Sequence, residues 1–170
     1  HYDSLQQALD RIESETNNAN TIIDMLLMNV GKQTISESMF EKSEMVACVD
    51  EALRRYPFAS EDERNKVTFD QEGDFIFHGS KLLMVHVLFN LIKNALHFIA
   101  KARKGKIHIW LSSDERYNRL HFKDTGKGIV SDALPRIFER FFSTTISGTG
   151  IGLSFCQLVV ESFGGTISCG

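Results

Sequence analysis

The 170-residue chain is 42% hydrophobic and 24% charged, a composition typical of a folded globular protein. Its formal net charge of −3 gives no bulk attraction to nucleic acid or anionic lipid, so neither is an expected partner. The three cysteines have no CxxC spacing and are odd in number, which favours free thiols in a reducing cytoplasm. With no signal peptide and no run of about 18 apolar residues, we expect no membrane contact from this segment.

Residues 4–30 carry a heptad pattern that predicts a coiled-coil-like helix. The a and d positions are Leu5, Leu9, Ile12, Thr16, Ala19, Ile23, Leu26 and Val30. Gly31 follows as a stop signal. Such a seam exceeds the apolar area that a monomer normally exposes, so we expect self-association or packing on a helix outside these residues. A long helix folded onto its own domain is the alternative.

The chain after this segment alternates between helix and strand patterns. Ser43 is predicted to cap a helix whose Met45, Val49 and Leu53 share one face. Further on, the pattern predicts strands near 67–69 and 74–78, a helix over about 80–101, a hairpin over 105–124, a short helix over 134–142, a helix over about 150–163 and a strand beginning at 166–169. Helices mixed with antiparallel pairing predict an α+β fold, a two-layer α/β sandwich behind the N-terminal helix.

The predicted helix over 80–101 has a polar stripe. At about 100° per residue, its polar side chains fall within roughly 100° of arc. They are His86, Asn90, Lys93, Asn94, His97 and Lys101. The stripe holds amides, imidazoles and ammonium groups but no carboxylate, which suits Mg²⁺ through neutral oxygens and phosphate through the positive charge of lysine. An ordinary solvent-facing stripe is the alternative, although such stripes usually carry Glu as well.

Two glycine-rich loops follow. In KDTGKGI (123–129), Asp124 comes at a strand end, where it can accept a hydrogen bond from an amino group, while Gly126 and Gly128 permit close approach to a ring. A plain turn is the alternative there. GTGIGL (148–153) stands at a helix start, which favours phosphate binding. Neither loop is a Rossmann fingerprint or a Walker A motif.

Four motifs in order resemble the ATP-binding domain of bacterial sensor histidine kinases, in the superfamily shared with gyrase, heat-shock protein 90 and MutL ATPases. They are NLIKNA (N box), DTGKGI (G1 box), RIFERFFST (F box) and GTGIGL (G2 box). The resemblance implies that 1–33 is part of the second helix of a dimerisation and phosphotransfer hairpin, that 34–42 is a linker, and that 43–170 is the ATP-binding domain, truncated at its closing strand.

The same resemblance implies ATP and Mg²⁺ as ligands. Asn94 is similar to the family's Mg²⁺ ligand, and Asn90 lies one turn earlier, near the metal and the phosphates. Lys93 and His97 resemble the basic residues that face the triphosphate. Asp124 resembles the acceptor of the adenine amino group. The remaining implied nucleotide or lid residues are Gly126, Gly128, Phe98, Phe138, Phe142, Thr145, Gly148, Thr149, Gly150, Gly152 and Leu153.

Departures from the family pattern refine the predicted activity. Related ATPases carry a general-base glutamate about where Asn90 stands, and an amide cannot take a proton, so phosphotransfer is favoured over hydrolysis. None of the six histidines is followed by Glu or Asp, as the family's phospho-acceptor is, so the acceptor is expected outside this chain. The lid, the segment between Phe142 and Gly148, is short, and Thr145 stands where short-lid members have lysine. A non-catalytic nucleotide-binding dimeric regulator of the same fold is the alternative.

The resemblance also implies a cellular setting. It places the segment in the cytoplasm, as part of a membrane-bound sensor, with a homodimer formed through the 4–30 helix. The implied partner is a response regulator or receiver domain. The sequences HVLFNLIKNAL and GLSFC resemble those of hybrid sensor kinases, including kinases that respond to bacterial quorum signals.

Overall fold

A computed structural model describes residues 40–145 and 148–170, together with positions 5, 7, 8, 12, 35 and 38. The chain divides into two compact units, residues 1–35 and residues 36–170. In the first unit Leu5 and Ile12 are helical and are 59% and 63% exposed. The other positions of the predicted heptad seam, and the 4–30 helix as a whole, lie outside the described residues.

The second unit combines helices with two small sheets, as an α+β fold requires. Its described elements are β1 (Glu41–Glu44), α1 (Met45–Arg55), α2 (Glu61–Arg64), β2 (Val67–Asp70), β3 (Ile76–Gly79), α3 (Lys81–Ala102), β4 (Ile107–Ser113), β5 (Asn118–Asp124), a 3₁₀ turn (Leu134–Arg136) and α4 (Gly152–Ser162). β1 pairs antiparallel with β3, whereas β4 pairs in parallel with β2 and antiparallel with β5. The predicted fold class is confirmed.

Helix α3 is the centre of this unit. Its N-terminus is capped by Ser80, whose hydroxyl accepts a hydrogen bond from the backbone N–H of Leu83 at 3.3 Å. It ends where Arg103 takes a left-handed conformation at φ 54°. The helix packs against α1, α4 and the β4–β5 sheet. Its buried residues are Leu83, Met84, Val85, Val87, Leu88, Ile92, Ala95, Leu96 and Ile99.

Length and composition alone would allow α3 to cross a membrane. Its most apolar window has a mean hydropathy of 1.6, and half of that window is buried inside the domain. A core helix passes the same test, because its apolar face is covered by protein. The burial of α3 against its neighbours is that of a core helix.

Three predicted elements differ in the structure. Ser43 is not a helix cap: it lies in β1 opposite Phe77, and α1 begins at Met45 after Glu44, without a side-chain cap. The segment 134–142 is one 3₁₀ turn followed by turns, because Phe141 adopts φ 65° and bonds to the second glycine loop. Residues 166–169 form no strand with any described residue, so that prediction was wrong too.

The cysteines are free, as predicted, and two of them belong to the core. Cys48 and Cys156 are buried, whereas Cys169 is exposed. Burial raises the pKa of both Cys48 and Cys156 to about 12, which keeps these thiols protonated and unreactive at neutral pH. The Cys156 Sγ lies 3.7 Å from the backbone oxygen of Val87 and so joins α4 to α3.

An aromatic cluster covers the β1–β3 sheet. The ring of Phe163, just after α4, meets Phe40 edge-to-face at 5.1 Å and Phe77 at 5.7 Å between ring centroids. A Cβ placed on Gly79 would lie only 2.7 Å from this ring. Gly79 therefore lets Phe163 pack directly on the backbone that leads into α3.

We predict that Gly79→Ala lowers the free energy of unfolding by about 1–3 kcal/mol, because the new methyl group overlaps the Phe163 ring. Urea unfolding followed by the fluorescence of Trp110, the only tryptophan, measures the change. Gly170→Ala is the matched control, since a Cβ there meets nothing within 4 Å. The same Gly79→Ala change should cost less in a Phe163→Leu background, and an equal cost would contradict the packing argument.

Candidate functional site

The polar stripe of α3 lies on the side of the helix that the core leaves open. Asn90 and Asn94 are half-buried and Lys93 and His97 are exposed, while Ile92 between them is fully buried. Among the residues that the structure describes, Lys93 forms no ion pair, and the Asn94 amide makes no hydrogen bond. The ammonium of Lys93 and the amide of Asn94 are therefore both available to a ligand.

The Asn90 side chain bonds to its own helix and lies close to the second glycine loop. Its Nδ2 donates to the backbone oxygen of His86 at 2.9 Å. Its Oδ1 faces Gly152, where an added Cβ would lie 2.7 Å from that oxygen. The start of α4 therefore approaches the polar stripe as closely as a glycine allows, and the N box and the G2 box form one surface.

The first glycine loop lies beside the same helix. Asp124 is the last residue of β5, and its Oδ1 accepts a hydrogen bond from the backbone N–H of Gly126 at 2.8 Å. A Cβ on Gly126 would lie 3.7 Å from the Phe98 Cβ, so the loop runs against α3. Gly128 has φ 71° with open space around it. Phe98, Asp124 and Gly126, predicted separately, are thus neighbours.

The lid is flanked by two residues with left-handed backbone conformations, Phe141 and Gly150. Phe141 (φ 65°) donates its N–H to the backbone oxygen of Gly150 (φ 67°) at 2.9 Å. A Cβ on Gly150 would overlap the Phe141 backbone, so only glycine fits there. Within the lid, the Ser143 hydroxyl donates to the Thr145 carbonyl at 2.9 Å, and the Gly148 N–H donates to that same carbonyl at 3.2 Å.

The segment before the lid contains contacts that sequence reasoning missed. The Arg136 guanidinium lies over the Phe142 ring at 4.3 Å and forms an ion pair with Glu139 at 2.9 Å. The spacing of Arg136 and Glu139 by three residues was the available signal. Phe138 is half-buried, whereas its neighbour Ile137 is the buried core residue at 8% exposure. Phe142 is therefore a packing residue held by a cation.

The remaining predicted residues lie around the start of α4. Thr149 is exposed in the second glycine loop, and Leu153 is half-buried in the first turn of the helix. Thr145 is half-buried, and its Oγ1 faces Gly148, where a Cβ would lie 2.6 Å away. The ligand roles assigned to all of these residues stay predictions.

Comparison with known proteins identifies related sequences. Residues 79–170 match the family model described as "Histidine kinase-, DNA gyrase B-, and HSP90-like ATPase". The chain is 30% identical over 168 residues to the CAI-1 autoinducer sensor kinase/phosphatase CqsS of Vibrio cholerae, covering 98% of this chain and 24% of that protein. It is 34% identical over 149 residues to the autoinducer 1 sensor kinase/phosphatase LuxN of Vibrio campbellii, covering 87% and 18%. The chain spans about a quarter or less of these two relatives.

Solved structures show the same architecture. The catalytic domain of the histidine kinase ThkA superposes with a TM-score of 0.54 at 28% identity, covering 71% of this chain and 80% of that one. The mycobacterial sensor histidine kinase MprB superposes with a TM-score of 0.60 at 24% identity, covering 73% and 80%. The second likeness supports the fold alone.

Proposed function

Because the chain belongs to the histidine kinase-, DNA gyrase B- and HSP90-like ATPase family, as the match over residues 79–170 shows, we propose that it is the catalytic part of a two-component sensor histidine kinase. It binds Mg·ATP between α3 and the two glycine loops. The γ-phosphoryl group then leaves ADP and forms a P–N bond with a histidine outside these 170 residues. From there it passes to an aspartate of a response regulator.

The contact between Asn90 and Gly152 carries this proposal. It brings the polar stripe of α3 against the start of α4, where backbone N–H groups and the helix dipole favour phosphate. Lys93 and His97 are exposed on the same stripe and are available for a triphosphate. Nucleotide phosphates placed here would meet positive charge from the side chains of one helix and from the N-terminus of another.

The donor set of the stripe fits Mg²⁺ bound together with phosphates. The Asn94 amide is half-buried and makes no hydrogen bond to any described residue, which leaves a neutral oxygen for a hard cation. Mg²⁺ commonly keeps several waters and relies on substrate phosphates, so one or two protein oxygens suffice. When bound, the ion would neutralise charge on the transferring phosphoryl group.

The amide of Asn90 favours phosphoryl transfer to a histidine over hydrolysis of ATP. Its Nδ2 already donates to the His86 carbonyl, and its Oδ1 faces Gly152. An amide has no basic site for the proton of an attacking water, so the position lacks a general base. A histidine acceptor does not need one at neutral pH, because neutral imidazole is itself a nucleophile.

The wider setting follows from the relatives. CqsS and LuxN are named as autoinducer sensor kinase/phosphatases, and we extend a role in quorum signalling and a response-regulator partner to this protein. We place the segment in the cytoplasm as a homodimer formed through the 4–30 helix. The heptad pattern of apolar residues over 4–30 supports a helix that packs on a second helix.

We predict that the chain binds Mg·ATP in a titration calorimeter, and that Asn94→Ala reduces the gain in affinity from Mg²⁺ about tenfold or more, since it removes the proposed metal ligand. Asn118→Ala is the matched control, because Asn118 starts β5 at the end opposite Asp124. If the unaltered chain does not bind Mg·ATP at millimolar concentration, the proposed function is wrong.

We predict that Gly152→Ala leaves thermal stability nearly unchanged but weakens ATP binding severalfold. Alanine is the better helix former, yet its Cβ displaces the Asn90 oxygen. A double-mutant cycle with Asn90→Ala tests this cause. The loss should disappear in the Asn90→Ala background, and full additivity would show that Gly152 acts without Asn90.

We predict that a full-length protein containing these residues becomes labelled from γ-³²P ATP with the acid-labile, alkali-stable chemistry of a phosphoramidate. Asn94→Ala should reduce the label strongly. Release of phosphate without any protein-bound label would identify an ATPase instead. ATP binding without protein labelling and without phosphate release would favour the non-catalytic regulator. The observation that supports this alternative is that Thr145 stands where short-lid members have lysine.

A further inference from the structure

The β4–β5 ladder ends in an unusual way beside the first glycine loop. Its last pair is Ile107 with Asp124, and the Ile107 N–H points away from β5 to the Lys66 carbonyl at 2.8 Å. The next pair, Lys106 with Thr125, would therefore exchange two backbone hydrogen bonds in a regular antiparallel ladder. Only one forms: the Thr125 N–H donates to the Lys106 carbonyl at 3.0 Å.

The second bond of this pair is made by a side chain. The Lys106 N–H donates to the Thr125 Oγ1 at 2.9 Å instead of to the Thr125 carbonyl. The hydroxyl thus satisfies the N–H of the residue just before β4, so the backbone of Thr125 is free to leave the sheet. The strand ends at Asp124 because the residue after it supplies its own cap.

The same residue lies close to the turn that follows α3. Gly105, in the turn after this helix, has φ 136°, and a Cβ there would lie 2.9 Å from Ile99 Cγ1 and 3.3 Å from the Thr125 carbonyl oxygen. Ile99 is buried in α3, next to Phe98. Thr125 is therefore bonded to the residue that leads into β4, and it lies close to the turn that links α3 to that strand.

Asp124 lies between two fixed points. Thr125 holds the backbone on its C-terminal side, and the Gly126 N–H holds its Oδ1 at 2.8 Å. The other carboxylate oxygen has no hydrogen-bond partner among the described residues. A single acceptor atom is thus presented in a fixed direction.

Resting on the proposed function, we propose that Thr125 is a positioning residue that sets the direction of the Asp124 carboxylate and thereby the selectivity of the site for a purine with an exocyclic amino group. It contributes to recognition of the base and not to binding of the phosphates, which lie with the stripe and the second glycine loop. The hydroxyl is the functional group. The methyl group of Thr125 is dispensable.

The experiment compares ATP, inosine triphosphate and inorganic tripolyphosphate as Mg²⁺ complexes. Inosine triphosphate has an oxygen where ATP has the amino group, and tripolyphosphate has no base. Thr125→Val removes the acceptor at nearly constant volume, and Thr125→Ser is the matched variant that keeps it. Thr125 and Lys106 are exposed, so water can replace the lost bond and the fold should survive.

We expect Thr125→Val to weaken ATP binding about tenfold, because a misdirected Asp124 carboxylate loses about one hydrogen bond to the adenine amino group, while binding of inosine triphosphate and tripolyphosphate changes less than about twofold. Thr125→Ser should restore the ATP preference. Amide hydrogen exchange at Lys106 should accelerate in Thr125→Val only. This exchange reports the capping bond without any nucleotide.

Three results would overturn the inference. Equal losses for all three ligands would mean that Thr125 acts on the fold in general. An unchanged ATP preference in Thr125→Val, together with its loss in Asp124→Asn, would leave the proposed function standing and reject the role of Thr125. Failure of the unaltered chain to bind ATP at millimolar concentration would reject both.

Discussion

The division of α3 into a buried apolar surface and a narrow polar arc constrains everything around it. Val85, Leu88, Ile92 and Ile99 are at most 2% exposed, and the helix is covered by α1, α4 and the β4–β5 sheet. Rotating α3 by one position would push Lys93 into this core, where an unpaired ammonium is strongly unfavourable. The polar arc therefore has one possible direction. Both glycine loops lie beside this helix, near Asn90 and Phe98.

Close backbone approach then fixes α4 to α3 at two places. At its start, Gly152 lies against the Asn90 amide. Just past its end, Phe163 packs on Gly79, the residue before the Ser80 cap of α3. In each case glycine removes the side chain that would keep the two elements apart. The position of the proposed phosphate-binding end of α4 thus depends on packing at the opposite end of α4, where Phe163 meets the residue before the α3 cap.

Local signals predicted the parts of the structure that local contacts determine. The expected helix over 80–101 is found at Lys81–Ala102, because Ser80 caps it and its apolar period runs without interruption. The strand β1 was missed because its partner β3 lies far along the chain, and four residues carry no strand signal of their own. The cap formed by Thr125 was equally invisible, since a threonine in a glycine loop reads only as a turn residue.

The hydrogen bond between Phe141 and Gly150 has a consequence for how this domain can diversify. It joins the residues on either side of the lid, so the lid begins and ends at a fixed base. The entropic cost of closing a loop grows slowly, by about 0.6 kcal/mol for each doubling of its length. Insertions between these two residues therefore need not move α4 or the strands. A longer lid could therefore be accommodated while the rest of the domain stays as it is.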